Sequence, residues 1–163
     1  MQSHAQAVVI GGGVVGCSVL YHLTKAGWTD VVLLERSELT SGSTWHAAGG
    51  MHTINGDPNV AKLQQYTIEL YNEIEELSEQ SIGLHLTGGV FLAATNERFD
   101  WLKSMHAKGL YLGMDTEIIS PKEAAAILPP LDPNNIVDCI RDPRDCNLAP
   151  PGPTGAYAHE STP

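Results

Sequence analysis

The sequence predicts an α/β fold that opens with a βαβ unit and passes into a stretch of mixed helix and strand. Three observations predict it: a continuous apolar run, Ala7-Val8-Val9-Ile10, bounded by glycines; a helical pattern directly after it; and a second apolar run, Val31-Val32-Leu33-Leu34, ending in Glu35. Short uninterrupted apolar runs mark strands of a parallel sheet, so the first run is expected to be buried on both faces. Between the runs, Val14, Cys17, Leu20 and Leu23 recur in steps of three that drift slowly around a helix face, and Gly27 sits where a C-terminal cap belongs. The crossover rule makes the two strands parallel neighbours with the helix on one face.

From Thr40 to Gly56 the residues are small and polar, and Gly42, Gly49, Gly50 and Gly56 interrupt any period, so the expectation is an extended loop with room for one helical turn. Asp57-Pro58 then supplies an N-cap with proline at the first helical position. Val60, Leu63, Thr67, Leu70, Ile74 and Leu77 form a helical stripe with glutamates opposite, predicting a helix to about Ser81. Strands are expected over 89–94, 116–119 and 136–140. A helix over 96–108 turns Phe99, Leu102 and Met105 inward. Ser120-Pro121-Lys122-Glu123 reads as a capping box opening a short helix that Pro129-Pro130 ends. The tail from Asp142 carries Pro143, Pro150, Pro151, Pro153 and Pro163, and little regular structure is expected there. This order divides the chain into 1–84, the first part of a nucleotide-binding domain; 85–145, the start of a second domain; and 146–163, a truncated or divergent return to the first.

The chain has 163 residues, with 9 Lys and Arg against 19 Asp and Glu, a net charge of −10. Nucleic acid and anionic membrane surfaces both call for clustered basic residues, so this balance argues against either as a partner. No basic region precedes the first apolar stretch, and no apolar run approaches the roughly 18 residues of a membrane span. Three cysteines without a close pair favour a reducing compartment and inert thiols, hence a cytoplasmic location, or the mitochondrial matrix in a eukaryote.

Gly11-Gly12-Gly13-Val14-Val15-Gly16 matches G-x-G-x-x-G between a strand and a helix, the Rossmann-like context that gives the pattern meaning. Gly11 suits a tight turn, Gly13 a close approach of backbone to pyrophosphate, and Gly16 close packing of helix on strand. The anion would rest on the helix N-terminus. Glu35, 24 residues after Gly11, is placed to accept hydrogen bonds from a ribose diol and disfavours a 2′-phosphate. The segment Ser41-Gly42-Ser43-Thr44-Trp45-His46-Ala47-Ala48-Gly49-Gly50 suits a loop lying against a flat ligand. His46 there fits a base, a donor, a nucleophile toward a cofactor, or simply a loop histidine bonded to backbone. His52 follows six residues later, but nothing nearby completes a metal set. His22, His85 and His106 read as helix or loop histidines, and Phe99 and Trp101 as core.

Together the glycine motif, the strand ending in Glu35, and Ser43-Thr44-Trp45-His46-Ala47-Ala48-Gly49 resemble the flavin domain of the dimethylglycine dehydrogenase and sarcosine dehydrogenase family, over roughly residues 5 to 145. The resemblance implies a D-amino-acid-oxidase-like FAD fold with the start of an α+β substrate domain. It implies FAD, linked covalently through His46, with Gly11, Gly13, Val15, Gly16, Glu35, Arg36, Ser43, Thr44, Ala48 and Gly49 around the cofactor. It also implies oxidation of an N-methyl amine by hydride transfer to flavin. An electron-transfer protein or oxygen would be the acceptor, and a folate would be a partner in the full-length protein. No catalytic side chain is assigned on it. The family reads Gly-His-Leu-Asp-Pro-Tyr where this chain has Cys146-Asn147-Leu148-Ala149-Pro150-Pro151. The expectation is therefore a fragment or degenerate copy, without the helix and third strand that would continue the flavin sheet. Two other readings stay open: a non-catalytic module like the regulatory subunit of pyruvate dehydrogenase phosphatase, which resembles the same family, and an NAD-binding βαβ domain.

Overall fold

The computed structural model of the chain describes residues 4–161. They divide into two compact units: one comprises the residues up to Gly49, Glu69–Leu84 and the residues from Leu148 on; the other comprises Gly50–Ile68 and His85–Asn147.

In the first unit, β1 (Ala7–Ile10), α1 (Val14–Lys25) and β2 (Val31–Leu34) form the expected crossover, with β1 parallel to β2 from Ala7 opposite Val31 to Ile10 opposite Leu34. Gly27 ends the helix at φ +87°, a left-handed geometry that glycine adopts without strain. The sheet is not buried on both faces as the sequence led us to expect. Val8, Ile10 and Leu34 are exposed, Ile10 at 85%. Among the described residues of the unit, α1 covers one face of this two-stranded sheet, and the outward half of each apolar run is exposed. The helix buries Cys17 and Tyr21, while Leu20 is only half-buried.

The tail corrects a second expectation. Residues Pro151–Glu160 form α5, packed on α1, so the returning helix is present. Pro151 and Pro153 fall in its first turn, where backbone N–H groups have no intrahelical acceptor and proline's missing donor costs nothing. Tyr157 is buried, its ring 5.3 Å from Tyr21 and 6.2 Å from Tyr71. Gly152 admits this packing because a Cβ there would press on the backbone of Ile82.

In the second unit, β4 (Gly89–Ala93), β5 (Glu117–Ile119) and β6 (Asp138–Asp142) form an antiparallel sheet ordered β4-β6-β5. α3 (Asn96–Tyr111) covers it, with Leu102 packing against Ala93 and Ile140 in a core that Phe91, Phe99 and Ile54 extend. Trp101 stays half-exposed, contrary to its reading as core, with the Arg98 guanidinium stacked 4.0 Å from its ring. α4 (Pro121–Ile127) carries the complete capping box: Ser120 accepts from the Glu123 N–H, and the Glu123 carboxylate accepts from the Ser120 N–H. A two-residue ladder joins β3 (Gly50–Met51) to β7 (Cys146–Asn147).

α2 (Pro58–Ser78) contributes to both units, 58–68 to the second and 69–78 to the first. Asp57 caps it, accepting from the N–H groups of Asn59 and Val60. Its buried positions are Ala61, Ile68, Leu70, Tyr71, Ile74 and Ser78, so Val60, Leu63 and Leu77 of the expected stripe face outward. All three cysteines are free and buried. Burial raises each thiol's pKa, that of Cys146 to about 11 with the help of the Asp145 charge, which suits inert thiols. No helix among the described residues is long and apolar enough to cross a membrane.

Candidate functional site

The first unit gathers the glycine motif, the end of β2 and the following loop around the start of α1. Gly11 turns the chain at φ +114° and donates its N–H to the Leu34 carbonyl, 2.8 Å. Gly16 lies over it so closely that a Cβ would overlap the Gly11 carbonyl oxygen, which leaves glycine as the residue that lets α1 seat on β1. Gly13 is the N-cap and carries no capping side chain, and the first turn holds no acidic residue, while Thr44 takes the Val14 N–H. That leaves the positive end of the helix available to an anion. Val15 stands out from this turn, 74% exposed.

Glu35 faces the same turn. Its Oε2 accepts from the Gly12 N–H at 2.6 Å and its Oε1 from the Ser37 N–H at 2.9 Å. These hydrogen bonds, with a smaller contribution from neighbouring Arg36, hold the carboxyl below the usual carboxylate range. A carboxylate has about four acceptor positions, so Glu35 keeps capacity for a ligand hydroxyl beyond these bonds. Arg36 is exposed.

The loop after β2 is tied back to this turn. Thr40 donates its N–H to the Gly12 carbonyl, and Thr44 Oγ1 accepts from the Val14 N–H at 3.0 Å. A Cβ on Gly13 would come within 3.1 Å of that hydroxyl. Thr44 thus joins Gly13 and Val14, a link that lies 30 residues away in sequence. Ser43, His46 and Ala48 are exposed around it. His46 Nδ1 lies 2.9 Å from the Gly42 carbonyl, so Nδ1 carries the hydrogen and Nε2 is left with its lone pair. Gly49, at φ +79°, passes so close to Leu148 that a Cβ would overlap its carbonyl oxygen.

The bland readings of the other histidines agree with their bonds. His22 Nδ1 meets the Ser18 carbonyl, His106 Nδ1 meets Thr116 Oγ1, and the His85 backbone pairs with Asn147. His52 differs. In the second unit it joins a buried polar cluster that the sequence reading missed, formed with Thr53, Asp142 and Asp145. The Thr53 hydroxyl donates to Asp142, the Thr53 N–H donates to Asp145 Oδ1 at 3.1 Å, and His52 Nδ1 lies 2.7 Å from Asp145 Oδ2. Burial raises the Asp145 carboxyl's pKa, against the lowering effect of the His52 and Thr53 bonds. His52 and Asp145 are 93 residues apart, so no local pattern could have paired them. Among the described residues no group of acidic, histidine and cysteine side chains has the arrangement of a metal site.

A family model described as FAD dependent oxidoreductase matches residues 6–161. The chain is 40% identical over 157 residues to the rat (Rattus norvegicus) mitochondrial dimethylglycine dehydrogenase, covering 96% of this chain and 18% of that protein. It is 37% identical over 145 residues to the mouse (Mus musculus) mitochondrial pyruvate dehydrogenase phosphatase regulatory subunit, covering 89% of this chain and 16% of that one. Among solved structures, an L-proline dehydrogenase from P. horikoshii superposes with a TM-score of 0.92 at 28% identity, over 99% of this chain and 42% of that one. The chain thus spans under a fifth of the length of these curated relatives.

Proposed function

The chain belongs to the FAD dependent oxidoreductase family, close to the dimethylglycine and sarcosine dehydrogenases, and on that premise we propose that it is the FAD-gripping part of an enzyme that oxidises an N-methyl amine such as dimethylglycine or sarcosine. The observation that carries this reading is the cradle at the start of α1, where Gly11, Gly13 and Gly16 clear the approach, Glu35 faces the turn, and Thr44 anchors the histidine loop to the same N–H groups. The residues present fit the cofactor: a pyrophosphate would rest at the N-terminus of α1, where Gly13 brings no side chain beside the Thr44 bond, and a ribose diol on the Glu35 carboxylate.

FAD, when bound, supplies the hydride acceptor. This chain's residues position it. Val15, Arg36, Ser43, Ala48 and Gly49 would flank it, and His46 would hold it covalently through Nε2, because Nδ1 is engaged with the Gly42 carbonyl. The acceptor of electrons would be an electron-transfer protein or oxygen, and a folate would take the one-carbon product in the complete protein. The rat relative is mitochondrial by name, which supports the matrix as compartment in a eukaryotic cell.

The test is anaerobic addition of dimethylglycine or sarcosine to the FAD-loaded protein. Bleaching of the flavin absorbance is expected, and flavin left oxidised by both amines would contradict the reading. The likeness to the phosphatase regulatory subunit supports a second reading, a non-catalytic binding module. On that reading FAD is bound or absent without any amine-dependent bleaching.

A further inference from the structure

Asn55-Gly56 is the one Asn-Gly pair in the sequence, and it lies in the second unit on the loop that leads into α2. Asparagine is a thermolabile side chain, and a glycine after it adds no Cβ to crowd attack by the backbone nitrogen on the side-chain amide. The fold keeps that approach open. Gly56 is exposed, its N–H bonds to no group among the described residues, and no heavy atom lies within 4 Å of the place a Cβ would occupy. Asn55 Oδ1 accepts the Asp57 N–H at 3.0 Å, so a donor already polarises the carbonyl that would be attacked. Two charged groups stand by. Lys108 Nζ reaches the Gly56 carbonyl at 3.4 Å, and the Asp57 carboxylate is turned to the N–H groups of Asn59 and Val60, at 2.8 and 3.1 Å. The chain is anchored before this loop as well: Thr53 is buried on Asp142 and Asp145, and Ile54 packs against the core of Ala93, Leu102 and Ile140.

We propose that Asn55-Gly56 is a site of spontaneous self-modification, where the chain deamidates through a cyclic imide and thereby loosens the start of α2. Water is the co-reactant. Hydroxide takes the Gly56 N–H proton, and the nitrogen's electron pair forms a bond to Asn55 Cγ. The Cγ–Nδ2 bond then breaks, and ammonia leaves with a proton from water, which restores the hydroxide. Water opens the imide at either of its carbonyls. One opening gives an aspartyl residue at position 55; the other gives an isoaspartyl link, in which the backbone runs through Cβ and Cγ. No atom changes oxidation state. Both products add a negative charge, and the isoaspartyl link also lengthens the backbone by one carbon. Thr53 and Ile54 hold the chain on one side and Asp57 on the other, so the added length falls on the cap that Asp57 makes to Asn59 and Val60.

The experiment ages the whole chain at body temperature and mildly alkaline pH, folded and, in parallel, unfolded in guanidinium chloride. Peptide mass spectrometry, with fragmentation that separates aspartyl from isoaspartyl links, follows each asparagine. In the folded chain the peptide spanning 55–56 is expected to gain the mass difference between an amide and a carboxylic acid ahead of the peptides holding Asn59, Asn72, Asn96, Asn134, Asn135 and Asn147, with isoaspartyl links among its products. Its rate should stay within a few-fold of the rate in the unfolded chain, because the fold does not shield the site. Amide hydrogens of Asn59 and Val60 should exchange about fivefold faster in the isoaspartyl form, the scale of a lost helix cap. Gly56→Ala, which open space admits, should leave the fold intact and bring position 55 down to the rate of the other asparagines. Asn55 left intact while other asparagines convert, conversion far slower in the folded chain than in the unfolded one, or Gly56→Ala converting as fast as the parent would each overturn the site. Conversion with unchanged exchange at Asn59 and Val60 would overturn the loosening of α2.

Discussion

Replacing Gly16 by alanine sets two effects of opposite sign against each other. Inside a helix, alanine is favoured over glycine by about 1 kcal/mol. The added methyl, however, would overlap the Gly11 carbonyl oxygen and lie 3.0 Å from the Gly11 carbonyl carbon. Those atoms are backbone and cannot rotate away. Gly11 is further pinned by its N–H bond to Leu34 and by a φ of +114°. Relief therefore requires α1 to move off β1, an overpacking cost of roughly 3 kcal/mol at such a contact. The net expectation is a loss of about 2 kcal/mol, measured as a lower urea midpoint at unchanged slope. FAD affinity should fall with it, because the same shift moves the N–H groups at the start of α1. Gly42→Ala is the control: open space surrounds that position, and its stability should change by no more than about 0.5 kcal/mol. A Gly16→Ala protein as stable as the parent, with FAD affinity intact, would refute the reasoning.

Three further outcomes follow from the same geometry. Tyr157→Ala should remove the buried ring that joins Tyr21 and Tyr71 and cost about 3–5 kcal/mol in urea unfolding; a small loss would mean α5 is not seated on α1 as described. Ser120→Ala breaks the capping box of α4 and should cost about 1 kcal/mol, seen as faster exchange of the Glu123 amide hydrogen. The Glu35 carboxyl is held below the usual range in the folded state, so its stabilising bonds to Gly12 and Ser37 persist above the ordinary carboxylate pKa and are lost as pH falls through the lower, folded value. Protection of the Gly12 amide should collapse in that acid window, and Glu35→Gln should abolish this pH dependence.

The βαβ unit was legible because its signals are local: glycines at the turn, apolar runs on either side, and Glu35 at the strand end. The resemblance added FAD to that frame, and the family match agrees. What sequence missed has identifiable physical causes. Pro150, Pro151 and Pro153 were read as breakers, yet a helix tolerates proline in its first turn, and Tyr157 four residues on gives α5 something to bury. The α2 stripe was displaced because its two ends serve different units, so one periodic face does not describe it. In the cradle, Glu35 was placed by spacing, but the Thr44 link to Val14 and the Thr40 link to Gly12 depend on how the loop folds back. The His52–Asp145 pair depends on the register of two short strands far apart in the chain.

Retention of flavin after acid precipitation decides whether His46 carries the cofactor. The protein is purified with FAD, precipitated with acid and washed, and the visible absorbance of the pellet is read. Flavin is expected to stay with the pellet of the unaltered chain and to leave it in His46→Ala, while non-covalent binding at the glycine cradle survives in that variant. A colourless pellet from the unaltered chain, or colour retained in His46→Ala, would contradict it.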